Sequence, residues 1–312
     1  MPQPLRRRAR RLLAALALAA LPPGAATAQE APRFTVLHGQ PDLGQVLARP
    51  ALLPPARYRV LLVPGSGCHS LAPSADRLAA GLLHAEVLLL QKPHLLPAPG
   101  PGTAGSPCPE AFIRSDRLGA WLDRARQLAA QALQRQPAPL PLVLAGLSEG
   151  AELLPGLAAA FPEATLLVMA GHAGLDPAVA GRLQAERLDA SAAWGALMAQ
   201  AEASDPPDAV QHGRHLRYWR DLRHWRLRQP LLTDPRPLLH AWGGRDALMP
   251  PQAYAEFADA ARHRAGGYCA LAFPDADHEL RASGRDHLQS VWAWLERLAR
   301  EGGRWPGACF RP

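Results

Sequence analysis

The stretch Leu140-Pro-Leu-Val-Leu-Ala-Gly-Leu-Ser-Glu-Gly-Ala151 decides how the rest of the chain is read. A short apolar run bounded by prolines has the form of a buried strand, and it passes directly into Gly146-Leu147-Ser148-Glu149-Gly150 and then into an Ala/Glu/Leu-rich segment that favours helix. Strand, sharp turn and helix then follow one another within a dozen residues. Such a turn forces its central residue into a strained conformation, and glycines two positions to either side keep side chains out of the place where strand and helix nearly touch. Ser148 is therefore expected to stand at the tip of the turn, at the positive end of the following helix. Pro155-Gly156 interrupts that helix, for no reason visible in the sequence.

Strand and helix signals alternate outward from this turn. Residues 34–38 form a candidate first strand, and the Pro-rich stretch to residue 57 shows no clear element. Residues 58–63 read as a buried strand delivering Pro64-Gly-Ser-Gly-Cys-His-Ser70, a loop whose bare backbone N–H groups could hold a phosphate or a developing oxyanion. That loop lacks the G-K-[ST] ending of a Walker A motif and is not G-x-G-x-x-G. A helix over 74–83 with Ser74 as N-cap, a strand over 85–90, a Pro/Gly-dense loop over 93–109 and an amphipathic helix over 115–134 complete the first half. Beyond the turn, a strand over 165–170 is followed by helical, Trp- and Arg-rich sequence over 177–233. The alternation resumes with a strand over 236–242 that delivers Gly243-Gly-Arg-Asp246, a helix over 252–264, a strand over 268–273 that delivers Pro274-Asp-Ala-Asp-His278, and a helix over 285–300. This pattern predicts an α/β fold with a mostly parallel, doubly wound sheet, its core formed by 29–176 and 234–312 and a helical cap inserted over 177–233.

Ser148, Asp246 and His278 thus follow three different strands, on the sheet edge where open α/β folds bind ligands. A serine hydroxyl needs a base within hydrogen-bond reach, and an imidazole base needs a carboxylate to fix its tautomer and stabilise its charged form. Asp176 and Asp234 are the competing acids, and His172 and His287 the competing bases. Glu149 is expected to act with its side chain only as an acid at a helix N-terminus.

In the strand and Gly-Ser-Gly loop over 58–67, the turn over 146–150, the Gly-Gly-Arg-Asp over 243–246 and the Asp-Ala-Asp-His over 275–278, the sequence resembles the α/β-hydrolase superfamily. The resemblance covers most of the chain after the N-terminal segment. It implies Ser148 as nucleophile, His278 as general acid/base and Asp246 as orienting carboxylate. It also implies an oxyanion hole from the backbone N–H of Glu149 and one from the 65–67 loop. Pro64-Gly65 stands where the family usually has His-Gly, so the second donor is Ser66, our choice, or Gly67. Neither metal nor organic cofactor is implied, and the partner is a small-molecule acyl substrate. Hydrolysis of a carboxylic ester is the first expectation. A serine peptidase is the alternative, because Ser-Glu-Gly turns also resemble those of prolyl-oligopeptidase-like enzymes. A third is an inactive scaffold that binds a ligand under its cap. The cap and the 93–109 loop are expected to wall the pocket.

At the N-terminus, Arg6, Arg7, Arg8, Arg10 and Arg11 precede an apolar core of about ten residues and Ala26-Thr27-Ala28, the pattern of a secretory signal peptide over 1–28 with an A-x-A cleavage site. The core is too short to span a bilayer, which leaves no stable membrane anchor in the mature chain. Export through the general route or, from Arg10-Arg11, the twin-arginine route would place the protein in the periplasm or outside the cell. Cleavage takes five arginines from the formal +7 and leaves +2, so charge gives no ground for a nucleic-acid partner. Lys92 is the only lysine. Of the three pairings open to four cysteines in an oxidising compartment, we adopt Cys68 with Cys108 and Cys269 with Cys309. No C-x-x-C suggests a metal site, and His212 and His215, though spaced as H-x-x-H, have no third ligand near and read as a surface pair. Arg217, Arg220 and His224 share a helix face in the insertion, expected to be solvated rather than to bind an anionic substrate.

Overall fold

The computed structural model describes residues 33–97, 107–136, 139–203 and 209–301. The expected signal peptide and Cys309 lie outside these residues.

Ten of the twelve strands among the described residues are, in order, β1 Thr35–Gln40, β2 Gly44–Arg49, β3 Tyr58–Val63, β4 Ala85–Gln91, β5 Leu142–Leu147, β6 Ala164–Ala170, the two-residue β7 Val210–Gln211 and β8 Arg214–His215, β9 Leu238–Gly243 and β10 Tyr268–Phe273. Eight of them form one sheet in the order β1-β2-β4-β3-β5-β6-β9-β10, in which only β2 runs against the rest. Consecutive parallel strands are joined by crossovers, so helices cover both faces. The central strands are buried on both sides and read as unbroken apolar runs. Leu61, Val63, Leu88, Leu90, Leu142 and Leu144 face one core layer, and their neighbours Val60, Leu62, Val87, Leu89, Val143 and Ala145 face the other.

The helices are α1 Ala75–Leu78, α2 Glu110–Ser115, α3 Leu118–Gln134, α4 Leu154–Ala160, α5 Pro177–Arg187, α6 Ser191–Glu202, α7 Leu216–His224, α8 Arg228–Thr233, α9 Pro251–Ala261 and α10 Leu288–Arg300. The first core layer lies under α3, α4, α9 and the insertion; the second lies under α1 and α10. Glu296 of α10 fastens the second layer, accepting from the Tyr58 hydroxyl at 2.6 Å and the His84 amide at 2.9 Å, with the His84 ring 2.6 Å away.

Several expectations are corrected in detail. β2 was not foreseen, because its apolar run is only Val46-Leu47-Ala48 and it ends in Arg49. That arginine is buried and donates to the carbonyls of Ala79 and Leu82 at the end of the α1 segment, so a charged residue fills an interior position. The helix expected over 74–83 is one α-helical turn after a 3-10 turn, and the Ser74 hydroxyl donates to the Leu71 carbonyl instead of capping a helix. The helix expected over 115–134 begins at Leu118 as α3, and a separate short helix, α2, ends at Ser115 just before it. Residues 281–286 form a small hairpin before α10.

The interruption at Pro155-Gly156 also has a physical reason. The segment after the turn begins as a 3-10 helix, Ser148–Leu153, and α4 starts afresh at Leu154, which puts Pro155 in its first turn, where a missing N–H costs no bond. Gly156 faces α3 so closely that a Cβ would fall 2.5 Å from Leu122 Cδ2. The pair therefore starts one helix and lets two helices approach.

Gly150 is more tightly confined: a Cβ there would lie 2.2 Å from the Val63 carbonyl oxygen and 2.5 Å from that of Pro64. The turn after β5 thus sits directly on the end of β3. Gly150→Ala is expected to lower the unfolding free energy by about 2–3 kcal/mol, because backbone and not a mobile side chain must move aside; guanidinium unfolding measures it, and an unchanged midpoint would contradict this contact.

Candidate active site

Ser148 follows β5 with φ of 50°, the left-handed conformation the turn demands of a non-glycine residue. β9 and β10 are in parallel register with Gly243 opposite Phe273, so the loops after them leave the sheet side by side. The first loop carries Asp246 and the second His278.

His278 Nε2 lies 2.8 Å from Ser148 Oγ, and His278 Nδ1 lies 2.8 Å from Asp246 Oδ2. The Asp246 carboxylate is nearly inaccessible and is surrounded by donors. Oδ1 accepts from the amides of Leu248 at 2.7 Å and Met249 at 2.9 Å, and Oδ2 also accepts from the Tyr254 hydroxyl at 2.6 Å. Burial alone would raise the Asp246 pKa, but the His278 and Tyr254 hydrogen bonds and the amides outweigh it and hold the carboxyl below its ordinary value. A carboxylate only accepts, so Nδ1 of a neutral His278 must donate to it, and Nε2 is left free to accept the Ser148 proton.

The competing residues are occupied elsewhere. Asp176 accepts from the amides of Leu227 and Arg228, which ties α5 to α8, and Asp234 pairs with Arg236. His172 is fully buried, its Nδ1 accepting from the Gly174 amide, and His287 stacks on Phe273. His215 is buried too, contrary to the expected surface pair: its ring accepts from the Arg217 amide and caps α7, while His212 is exposed. Arg217 and His224 are exposed, as expected, and the half-buried Arg220 donates to the carbonyls of Ala201 and Ala203 at the end of α6.

Ser148 and His278 sit in a cleft of about 440 Å³ with Leu71, Leu78, Leu147, Leu248, Leu280 and Leu288 around them. Pro64, Gly65 and Ser66 line the same cleft, whereas Gly67 lines only a neighbouring cavity of about 210 Å³. Cys68 is bonded to Cys108, as expected, and the Cys68 carbonyl and Ser70 amide pair with Leu96, so the 93–97 segment braces this loop. Cys269 lies on β10; its expected partner Cys309 is outside the described residues.

The insertion and the 93–109 loop were expected to wall the pocket. Among the described residues, no lining residue comes from 177–233, and of the 93–109 loop only Leu95 touches the smaller cavity; residues 98–106 and 204–208 lie outside the described residues. The reason lies in the layers. Leu71, Leu78, Leu147, Leu280 and Leu288 belong to the second core layer, whereas Leu183, Tyr218, Leu222 and Leu231 of the insertion pack into the first.

What the insertion does reach is Glu149. Its side chain is not a surface acid but points into the protein. Oε1 accepts from Lys92 Nζ at 2.5 Å, and Oε2 accepts from the Tyr218 hydroxyl at 2.9 Å and from Arg214 at 2.7 Å. Asp116 completes the cluster, bonded to Lys92 at 2.6 Å and Arg214 at 2.5 Å, and the Arg214 guanidinium lies 3.9 Å from the Tyr218 ring centre. Two cations and two anions thus neutralise one another in the interior, the condition under which charges can be buried. Burial pushes the Glu149 carboxyl up, but Lys92 and Arg214, with the bonds from Lys92 and Tyr218, bring it down to about 2. Sequence reading passed over Lys92, Asp116, Arg214 and Tyr218; the one signal was a solitary lysine at the end of a buried strand in an arginine-rich chain.

No family model matches the chain, and no curated protein matches it. Solved structures do. Est1E from Butyrivibrio proteoclasticus with ferulic acid bound is 17% identical, with a TM-score of 0.55, covering 84% of this chain and 97% of that one. The esterase domain of a Rhodothermus marinus protein is 19% identical, with a TM-score of 0.51 and coverage of 82% and 92%. A puromycin-hydrolyzing peptidase from Mycobacterium tuberculosis is 16% identical, with a TM-score of 0.55; the match covers 88% of this chain but 40% of the peptidase.

Because the Glu149 pKa is depressed on folding, the cluster stabilises the protein fully above the ordinary value of 4.5 and loses that contribution as pH falls towards about 2. Glu149→Gln should therefore flatten the dependence of unfolding free energy on pH across this window, measured by denaturant titration at a series of pH values; an unchanged slope would contradict the assignment. The strand order, the turn after β5 and these structural matches agree that the chain has the α/β-hydrolase fold.

Proposed function

We propose that this protein is a serine hydrolase that cleaves carboxylic esters through an acyl-enzyme on Ser148. The observation that carries this is the continuous chain from Ser148 Oγ through both ring nitrogens of His278 to a buried carboxylate, each link 2.8 Å long, at the floor of a largely apolar cleft.

Ser148 Oγ attacks the acyl carbonyl as its proton passes to His278 Nε2, and Asp246 stabilises the imidazolium so formed. The carbonyl electron pair moves onto oxygen, which is held by the backbone N–H groups of Glu149 and Ser66. Each such donor contributes about 3 kcal/mol of transition-state stabilisation. Ser66 is favoured over Gly67 because it, and not Gly67, lines the cleft that contains Ser148. As the tetrahedral species collapses, the C–O bond to the leaving group breaks and His278 returns the proton to the departing alcohol. Water, deprotonated by the same imidazole, then attacks the acyl carbon; the bond from that carbon to Ser148 Oγ breaks, the acid leaves, and His278 returns the proton to Oγ.

The six leucines of the cleft suit an aliphatic or aromatic acyl group, and structures of esterases among those similar in fold support the same class. Peptide cleavage is the second possibility, supported by the Ser-Glu-Gly turn and the similarity to a puromycin-hydrolyzing peptidase. The N-terminal segment and the Cys68–Cys108 bond support a site of action in the periplasm or outside the cell.

Active-site labelling with a fluorophosphonate tests the proposal. Wild type should be labelled, Ser148→Ala should not, and the substitution should reduce hydrolysis of a nitrophenyl ester by at least about 10⁴-fold. Turnover of nitrophenyl esters should exceed that of aminoacyl nitroanilides. Labelling that survives in Ser148→Ala would overturn the assigned nucleophile, and absence of labelling in wild type would favour a ligand-binding scaffold.

A further inference from the structure

We propose that Arg214 and Tyr218 of the insertion, together with Lys92, are positioning residues that act through the Glu149 side chain on the backbone amide expected to hold the oxyanion, so that the insertion governs the chemical step and not substrate choice. This inference rests on the hydrolase reading above.

The geometry supplies three reasons. First, Glu149 adjoins Ser148, whose φ of 50° is strained, and strained residues persist only where the surroundings over-determine them. The residue immediately after the strain is the one fixed by both carboxylate oxygens, from Lys92 on one side and from Arg214 and Tyr218 on the other. With the carboxylate held at both ends, the Glu149 Cα and the peptide plane between it and Ser148 have little freedom. Oxyanion stabilisation depends on donors that are already in place when charge develops, so this immobility bears directly on rate.

Second, the holding groups come from otherwise separate parts of the chain. Lys92 follows β4, Asp116 lies between α2 and α3, Arg214 is in β8, and Tyr218 is in α7. A cluster built only for stability would gain from apolar residues of similar volume, since burying charges gives little net stabilisation even when they are paired. Charges, however, specify direction, and here they converge on one side chain. Third, no described residue of the insertion lines the cleft, yet the insertion sends two side chains to the residue beside the nucleophile. Its route to the chemistry is from beneath the turn, not over the substrate.

The oxyanion forms only in the transition state, so loosening its donor should lower kcat and leave KM nearly unchanged. The test uses two substrates of the full-length protein with the same acyl chain, a nitrophenyl ester and the matching thionoester. In the second, charge develops on sulfur, a weaker hydrogen-bond acceptor that draws less from the amide. Tyr218→Phe removes one hydroxyl and keeps the ring. It should lower kcat on the oxygen ester about 10-fold with KM within about 2-fold, and should lower the oxygen-to-sulfur rate ratio by a similar factor. Glu149→Gln, which keeps shape and loses charge, should do the same if Tyr218→Phe folds poorly, and Arg214→Lys should retain more of the ratio than Arg214→Ala. A merely structural role lowers the active fraction and scales both substrates alike, so a ratio equal to wild type in these variants overturns the proposal. If wild type itself cleaves neither ester and takes no fluorophosphonate, the hydrolase reading fails, and the inference with it; the wild-type measurement alone distinguishes that case from the first.

Discussion

The strained turn after β5 is the constraint on which the remaining structure depends. Holding Ser148 at a positive φ is unfavourable for any residue with a Cβ, and the molecule offsets this by confining the turn on several sides. From above, Gly150 rests on the carbonyls of Val63 and Pro64 at the end of β3, which also brings the Gly65–Gly67 loop beside the hydroxyl. From below, the Glu149 carboxylate is bonded by three donors. Only a backbone fixed in this way can present a hydroxyl and adjoining amides in a set direction without first reorganising.

The carboxylates of Asp246 and Glu149 illustrate how environment separates roles. Asp246 faces His278 and has its remaining lone pairs filled by two amides and a tyrosine, so it remains charged and keeps one imidazole tautomer in place. Glu149 is equally well satisfied, but its partners face away from the cleft and none of them can exchange a proton with a substrate. The first arrangement is suited to moving a proton and the second to preventing movement. Both are buried, both are depressed in pKa, and only their surroundings tell them apart.

The sheet was legible where one residue type repeats with one period. Residues 58–63 and 268–273 are found as strands at the expected bounds: the first is buried on both faces and leaves an uninterrupted apolar run, and the second, at the sheet edge, buries Cys269 and Leu271 and exposes Ala270 and Ala272. The order of Ser148, Asp246 and His278 at three strand ends was legible for the same reason, as each follows a run whose end can be seen. β2 was not, because its apolar run is only Val46-Leu47-Ala48 and the charged residue that follows is buried on the carbonyls of Ala79 and Leu82. The Lys92, Asp116, Glu149, Arg214 and Tyr218 cluster was also hidden. Its members are separated by up to 126 residues, from Lys92 to Tyr218, and each taken singly has the composition of an exposed position. The role of the insertion followed the same course. Its helices were readable, but which face of the sheet they cover depends on packing that no local pattern records.

The most direct test of a preorganised turn is the structure of the phosphonylated protein. The hydrolase account predicts phosphorus on Ser148 Oγ, the phosphonyl oxygen about 2.7–3.1 Å from both the Glu149 and Ser66 amides, and a Glu149 side chain unmoved from its position in the free protein. A phosphonyl oxygen turned to solvent, or an adduct on any other side chain, would contradict it.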